Sequence, residues 1–314
     1  MKTTIASPDS QIIETDNLTL DVFTNVLDGA IYKIPSLELS EQLRTFTHSY
    51  LSSIAKNKFG KSLPSKLENA HEFLDSEAMK ELLDTTYKFK GDIETPPRLI
   101  AKFLQDWQLA DKVLIDFKEH LRMVSPGGNL RRTHRVPAHR DSFYSLPKET
   151  INFWIPCTDA PFGVSLYPQF FKTHIRVGKI DSETSHHKIL EPDLSVEPKI
   201  NASCDFGYTL LFSGNHLHGS AENKSNKTRI SWDYRLILEE SIRPGLRIGE
   251  FINADLMIEE SYNREVALKK TRSRLRKSKQ HTAALLHRIE NSGLNRYVQQ
   301  YRKLKDYAPG LFYC

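Results

Sequence analysis

Cysteine is scarce in this sequence: three residues among 314, namely Cys157, Cys204 and Cys314. Their odd number and wide spacing exclude a disulfide framework and a Cys-x-x-Cys metal site. No apolar run approaches the roughly 20 residues that span a bilayer, and the polar N-terminus has no apolar signal-peptide core. We therefore expect a protein of the reducing cytoplasm that has no membrane partner.

Acidic residues are missing from one stretch near the C-terminus. Residues 268–279 read LKKTRSRLRKSK and carry seven basic side chains, although the net charge of the whole chain is only +5. Such a run can bind a nucleic acid or an acidic partner, but it is also typical of a solvated helix face. The solvated face is the simpler interpretation, so we do not expect a nucleic acid partner.

The first third of the chain has helical periodicity. Ser36 and Ser65 each precede a run with leucines at helical spacing, and Glu68 stands in capping-box position relative to Ser65. A third segment, 96–121, opens on prolines and continues with apolar residues at i, i+3 and i+4. These patterns predict an N-terminal helical part over 1–121 that packs on the core.

The middle of the chain changes to a sheet pattern. Short segments such as TINFWIP, GVSLYP, FGYTLLFSG and RISWDYRLIL are rich in β-branched and aromatic residues and are separated by Gly, Pro and Asn. Strands that do not alternate with helices argue against a doubly wound parallel sheet. The predicted fold is therefore mostly β: a double-stranded β-helix (a cupin-like jelly roll) over 122–253, flanked by the N-terminal helices and by a C-terminal helical extension over 254–314.

Two possible metal ligands, His139 and Asp141, lie two positions apart in VPAHRDSFY. On a strand, alternate side chains share a face, so this imidazole and carboxylate would point the same way. A His-x-Asp triplet is weak evidence alone, because such triplets also arise by chance. A third ligand is available downstream from His216 or His218, which share a face and which alternation cannot separate. Two histidines and one carboxylate suit Fe(II) and leave coordination positions open.

A strong strand follows these histidines, and its polar residues share one face: Arg229, Ser231, Asp233 and Arg235. A guanidinium can bind a carboxylate through two parallel hydrogen bonds, and a nearby serine can donate another. This face is therefore a candidate anchor for a dicarboxylate co-substrate, with Arg229 as the first choice and Arg235 as the alternative.

Taken together, AHRDSFY, INFWIP, SLYPQFF and HGSAENKSNKTRISWDYR resemble the Fe(II)/2-oxoglutarate dioxygenases. The similarity is greatest to the phytanoyl-CoA dioxygenase-like branch found in antibiotic biosynthesis, which includes the streptomycin-cluster oxygenases. It covers about a third of the chain, roughly 131–235. Carried over residue by residue, the resemblance implies the iron ligands His139, Asp141 and His218, and a 2-oxoglutarate site made of Arg229, Ser231, Ser220 and Asn152.

The resemblance also implies which downstream histidine binds iron. His218 begins the His-Gly-Ser sequence, and Arg229 follows it at the distance usual in the family. His216 has no counterpart in this pattern, and a structural role is the simpler interpretation. Gly219 would let the backbone lie close to the metal.

The implied activity is oxidation of a small molecule in secondary metabolism, by hydroxylation or else by desaturation or ring formation. Because Asp141 would supply an oxygen ligand, no position is freed for halide, and halogenation is not expected. Arginines 131, 132, 135 and 140 cluster near the site, so an anionic or carrier-tethered substrate is one option.

Two other classes of protein stay open. One is a cupin-like, metal-dependent isomerase or hydrolase that does not use 2-oxoglutarate, against which the position of Arg229 argues. The other is a non-catalytic binding protein that acts through the basic segment 268–279, against which the complete set of ligand types argues. The oligomeric state is not encoded in any of these patterns.

Overall fold

The computed structural model describes residues 12–88, 94–117, 121–127, 136–144, 146–159, 163–181, 186–195, 199–242 and 251–291. Its strands are β1 (Ile12–Glu14), β2 (Ile31–Pro35), β3 (Val113–Asp116), β4 (Leu121–Val124), β5 (Ile151–Pro156), β6 (Val164–Tyr167), β7 (Arg176–Ile180), β8 (His187–Glu191), β9 (Ile200–Ala202), β10 (Tyr208–Ser213), β11 (Leu217–Ser220), β12 (Arg229–Leu238) and β13 (Phe251–Asn253). Its helices are α1 (Leu20–Leu27), α2 (Leu37–Phe59), α3 (Ala70–Phe73), α4 (Ser76–Lys88), α5 (Thr95–Asp106), α6 (Ala254–Ile258) and α7 (Arg264–Asn291).

Most of the strands form two facing sheets with jelly-roll topology, while β7 and β8 pair as a separate two-stranded sheet. The main sheet has the order β1-β2-β10-β5-β12-β3-β13, with β4 also paired to β12, and the second sheet has the order β11-β6-β9. A two-residue bridge adds the segment around His139 to the free edge of β11. The chain passes back and forth between the two sheets through β4, this segment, β5, β6, β9, β10, β11 and β12, in that order. This confirms the predicted mostly β core with flanking helices.

Strand register identifies the side chains that face the second sheet. Trp154 on β5 and Phe212 on β10 pack in one apolar cluster with Leu166 of the second sheet. Residues directly opposite each other in an antiparallel pair point to the same face. Asp233 lies opposite Trp154, and Arg235 lies opposite Asn152, so the polar residues of β12 face the interior of the barrel.

The opposite face of the main sheet is covered by helices. The ring of Phe46 on α2 lies 6.2 Å from that of Trp232, and the ring of Phe103 on α5 lies 6.0 Å from that of Phe153. The Trp232 indole also donates a hydrogen bond of 2.8 Å to the Thr47 hydroxyl. Because both faces of β12 are covered, all ten of its residues are buried.

The predicted third helix was too long. α5 ends at Asp106, and the segment Val113–Asp116 forms strand β3 in the main sheet. Gln108 adopts a left-handed backbone conformation with a φ of 58°, which stops the helix. The following VLID segment is buried at every position, so its apolar pattern fits a central strand as well as a helix face.

The predicted capping box at Ser65 was also wrong. Leu67–Asn69 forms a 3-10 turn, followed by the short helix α3 and then by α4. The Glu68 carboxylate instead accepts two hydrogen bonds from Arg44 on α2, at 2.8 and 3.1 Å. Glu68 therefore forms an ion pair with α2, in which both of its carboxylate oxygens take part, and not the predicted local cap.

The chain divides into two compact units, residues 1–263 and 264–314. The first contains the two sheets and helices α1 to α6. The second contains α7, which includes the basic segment 268–279 in its first half. No helix among the described residues is long and apolar enough to cross a membrane.

Gly163, just before β6, makes room for an interior side chain of the barrel. A Cβ at this position would lie 2.1 Å from Cη2 of Trp154. We predict that Gly163→Ala destabilises the fold by about 1–3 kcal/mol, the usual cost of overpacking a core. Urea unfolding followed by far-UV circular dichroism measures the change. Trp154→Phe, which removes the obstructing ring atoms, should recover stability in the double variant, and absence of recovery would place the strain elsewhere.

Candidate metal centre

A backbone pairing brings two histidines together. The amide of His139 donates to the carbonyl of His218 at 2.8 Å, and the amide of His218 donates back at 2.9 Å. Because residues paired in this way project to the same face, the two imidazole rings lie with their centroids 4.4 Å apart. One ring comes from the turn after β4 and the other from β11, so the site joins distant parts of the chain.

The orientation of both rings is set by the same local hydrogen bond. Nδ1 of His139 lies 2.9 Å from the carbonyl of Pro137, and Nδ1 of His218 lies 2.9 Å from the carbonyl of His216. A carbonyl only accepts, so each Nδ1 carries the proton. Each Nε2 therefore presents a lone pair, as a metal ligand requires.

The third side chain is the carboxylate of Asp141. Its Oδ1 lies 3.8 Å from Nε2 of His139, and one ligand atom from each of Asp141, His139 and His218 lies within 4.8 Å of the others. The three side chains converge as predicted, but not by strand alternation. His139 forms an isolated bridge, and Asp141 opens a 3-10 turn over Asp141–Tyr144.

Buried hydrogen bonds hold this carboxylate in place. Oδ1 accepts from Arg235 at 3.0 Å and Oδ2 accepts from Asn152 at 2.8 Å. The backbone amide of Asp141 donates to the carbonyl of Gly214 at 3.0 Å. Asp141 is 1% exposed and Arg235 is 3% exposed, so solvent screens their ion pair little.

The electrostatic environment keeps the group ready to bind a cation. Burial alone would raise the pKa of Asp141, but the Arg235 guanidinium holds that pKa below its usual range. Burial, together with the neighbouring His218 ring, holds the pKa of His139 well below its usual range. Near neutral pH Asp141 is therefore a carboxylate and His139 a neutral imidazole, and together with Nε2 of His218 they offer the donor types of a facial metal site.

A pocket inside the barrel opens beside the two histidines. Besides His139 and His218, its lining includes Arg122, Trp154, Ser220 and Asp233. Arg122 lies opposite Ser231 in the pairing of β4 with β12, so both point into the barrel. The pocket therefore combines a cation, hydroxyl groups and an acid next to the candidate ligands.

The residues expected to bind a co-substrate differ in their positions and contacts. Arg229 is buried on the interior face and donates a hydrogen bond of 3.1 Å to the carbonyl of Ala221. Ser231 is buried on the same face. The Ser220 hydroxyl accepts a bond of 3.0 Å from the amide of Val136, while Asn152 contacts the carboxylate of Asp141.

His216, to which the resemblance gave no role, is not part of the group formed by His139, Asp141 and His218. The His216 ring is fully buried, with its centroid 4.6 Å from that of Phe171. Burial and, to a smaller extent, the neighbouring His218 lower its pKa to about 4. What His216 offers to the site is its backbone carbonyl, which orients the ring of His218.

Sequence reasoning missed several residues near the site. Arg122 was placed at the start of the jelly-roll core without a role in the site, and Arg235 was considered only as an alternative co-substrate anchor. The structure instead places Arg235 between two carboxylates, 3.0 Å from Asp141 and 3.1 Å from Asp233. The outer side of His139 contacts Tyr144 and His186, whose ring centroids lie 5.7 and 5.4 Å away.

The arginine cluster expected near the site is described only in part. Arg140 donates hydrogen bonds to the backbone carbonyls of Phe170 and Thr173. Arginines 131, 132 and 135 lie outside the described residues. The expectation of an anionic substrate thus stays a prediction.

Comparisons with known proteins were made for sequence and for structure. No family model matches the chain, and neither does any curated protein sequence. Among solved structures, the chain is similar to SnoK, a non-heme alpha ketoglutarate dependent carbocyclase from nogalamycin biosynthesis, at 18% identity and a TM-score of 0.41 over 74% of this chain and 90% of that one. EvdO2 from Micromonospora carbonacea var. aurantiaca has 12% identity and a TM-score of 0.42, over 72% and 94%.

A third similar structure was solved with ligands. The epimerase SnoN, in complex with Fe3+, alpha ketoglutarate and nogalamycin RO, has 12% identity and a TM-score of 0.39 over 73% of this chain and 93% of that one. We infer the function of the present chain from its own residues.

Replacing each downstream histidine tests the ligand assignment. We predict that His218→Ala abolishes stoichiometric binding of Fe(II) or Co(II), because it removes one of three donors. His216→Ala keeps the backbone carbonyl that orients the ring of His218. Metal affinity should therefore fall by at most 10- to 100-fold, as is typical for a residue that only supports a ligand. Anaerobic calorimetric titration of each variant, after circular dichroism has verified folding, measures both. Normal metal binding by His218→Ala together with loss in His216→Ala would contradict the assignment.

Proposed function

We propose that this chain is a non-heme Fe(II)- and 2-oxoglutarate-dependent oxygenase that acts on a small molecule of secondary metabolism. The observation that carries the proposal is the buried group of His139, Asp141 and His218 beside a pocket that contains an arginine. The motifs of the sequence, which resemble the phytanoyl-CoA dioxygenase-like branch, support the same assignment.

The donor set fits a ferrous ion. Two imidazole nitrogens and one carboxylate oxygen form the facial arrangement of non-heme iron oxygenases, in which three further positions stay open. The same donor types can also hold catalytic zinc, so the ligands by themselves do not separate an oxygenase from a hydrolase. The arginine in the adjacent pocket favours the oxygenase.

The interior of the barrel fits a dicarboxylate co-substrate. Arg229 and Ser231 on β12 face inward, and Arg122 on β4 lies opposite Ser231 on the same face. These are the cation and hydroxyl donors that a buried carboxylate needs. Arg235 is the less suitable anchor, because its positive charge already lies 3.0 Å from the carboxylate of Asp141 and 3.1 Å from that of Asp233.

Iron with 2-oxoglutarate and dioxygen, when bound, would supply the oxidising power to attack an unactivated C–H bond. The residues of the chain orient and shield that chemistry. Pro137 and His216 fix the two rings through their carbonyls, and Arg235 neutralises the buried carboxylate. Tyr144 and His186 border the outer side of His139, where a substrate would approach.

Arg229→Ala tests the anchor of the co-substrate. Loss of a charge-assisted contact costs about 2–3 kcal/mol, so the dissociation constant for 2-oxoglutarate should rise about 30- to 150-fold. Metal affinity should be little changed, because Arg229 does not contact the three ligands. Titration of the metal-loaded protein with 2-oxoglutarate under anaerobic conditions measures the change.

Arg122→Ala is the matched variant, since its arginine faces the same interior. If this change weakens 2-oxoglutarate binding and Arg229→Ala does not, the anchor is Arg122. If neither arginine matters, the oxygenase assignment loses its support and a 2-oxoglutarate-independent hydrolase or isomerase becomes the better interpretation.

A spectroscopic measurement separates the classes of function directly. A visible charge-transfer band on anaerobic addition of Fe(II) and 2-oxoglutarate is expected for the oxygenase only. A metal hydrolase or isomerase would bind metal without the band, and a non-catalytic binding protein would show neither response. Succinate production across a panel of small amines, amino acids and nucleosides would then identify the substrate class.

A further inference from the structure

The two carboxylate oxygens of Asp141 have different surroundings. Oδ1 lies 3.8 Å from Nε2 of His139, on the side where the ligand atoms converge. Oδ2 is turned toward Asn152, from which it accepts a hydrogen bond of 2.8 Å. The backbone of Gly214 closes the same side, since a Cβ on Gly214 would lie 2.8 Å from Oδ2. Oδ1 therefore faces the metal position while it accepts a hydrogen bond of 3.0 Å from Arg235, and Oδ2 faces Asn152 and Gly214.

We propose that Asn152 and Arg235 are positioning residues that hold Asp141 as a one-oxygen metal ligand. This inference rests on the proposed function, because it concerns the metal of that site. A six-coordinate ion held by three protein atoms leaves three positions for co-substrates. A carboxylate that bound through both oxygens would occupy one of those three positions.

Arg235 can act in this way because its own position is fixed at two points. Its Nη2 donates to Asp141, and its Nη1 lies 3.1 Å from Oδ2 of Asp233 on the same strand. Arg235 is 3% exposed and Asp233 is 8% exposed. A planar guanidinium that meets two buried carboxylates cannot rotate without losing one of them. The side chain therefore holds the Asp141 carboxylate at a fixed angle.

Asn152 supplies the complementary restraint. It lies on β5 directly opposite Arg235 of β12, so one strand pair provides a donor for each oxygen of the carboxylate. Because a carboxylate only accepts, the amide must present its NH2 group to Oδ2. The residue that the family resemblance assigned to 2-oxoglutarate thus contacts the carboxylate of Asp141.

Counting the exchangeable waters on a bound Mn(II) ion tests the proposal. Water proton relaxation per saturated Mn(II) scales with the number of waters on the ion. Asn152→Ala should lower this relaxivity by about a third, as the freed Oδ2 replaces one of three waters. Mn(II) affinity should also fall about 10- to 100-fold. An unchanged relaxivity at saturation would overturn the proposal, because a residue that only stabilises the fold would not alter the water count.

Arg235→Lys is the second variant, chosen because it keeps the positive charge. A lysine ammonium can contact only one of the two carboxylates. Mn(II) affinity should therefore again fall about 10- to 100-fold, although the local charge is unchanged. Affinity equal to that of the wild type would show that charge alone matters and would contradict positioning by the guanidinium. This variant decides the question if Asn152→Ala does not fold.

Asn201→Ala is the matched control. Asn201 is exposed and lies on β9 opposite Ser165. Its side chain accepts a hydrogen bond of 2.7 Å from the Ser165 hydroxyl. The control should bind Mn(II) with the relaxivity of the wild type. Failure of the wild-type protein to bind Mn(II) stoichiometrically would refute the proposed function itself. Normal wild-type binding with normal binding by both variants would refute only the positioning role.

Discussion

The reciprocal hydrogen bonds between the backbones of His139 and His218 are the constraint on which the site depends. They close the second sheet onto the turn that carries Asp141 and set both imidazoles on one face. Gly219 makes this pairing possible. A Cβ there would lie 2.8 Å from the carbonyl of Val136 and 3.0 Å from the amide of Ala138. The glycine thus permits two backbones to approach, which is a different role from the proximity to metal that the sequence suggested.

A pairing of this kind also explains why the ligand set is specific. Residues in adjacent registers of β11 would replace an imidazole with Leu217 or Gly219, neither of which can bind a metal. The carbonyl of His216, two residues before His218, orients this imidazole locally. A register shift of one residue would still turn the imidazole away from His139, because it would move the side chains of β11 to the other face.

The barrel interior combines apolar and charged side chains. Trp154, Leu166 and Phe212 pack together, and Trp154 and Phe212 also line the pocket with Asp233. Unpaired buried charges are costly, but here the Asp141 carboxylate accepts a hydrogen bond from the Arg235 guanidinium without a metal. The fold should therefore not require metal to form, in contrast to small domains whose metal supplies their folding energy.

Much of this arrangement could be predicted from the sequence. The alternation in RISWDYRLIL indicated the shared face of Arg229 and Arg235, and the strand-rich middle indicated the jelly roll. What alternation could not show was which face of β12 meets the helices, because the apolar side turns outward to α2 and α5 while the polar side turns inward. Nor could it place Arg122, since VLID and LRMV are too short to distinguish a strand from the end of a helix.

The partners of each arginine depend on contacts between distant segments. Asp141 and Arg235 are separated by 94 positions, and no local pattern links them. Sequence reasoning therefore offered both arginines of this strand face as anchors, with Arg229 as the first choice and Arg235 as the alternative. Two buried carboxylates hold Arg235, at 3.0 Å from Asp141 and 3.1 Å from Asp233, whereas Arg229 donates a hydrogen bond to the carbonyl of Ala221. The two arginines therefore have different partners, although strand alternation places them on one face.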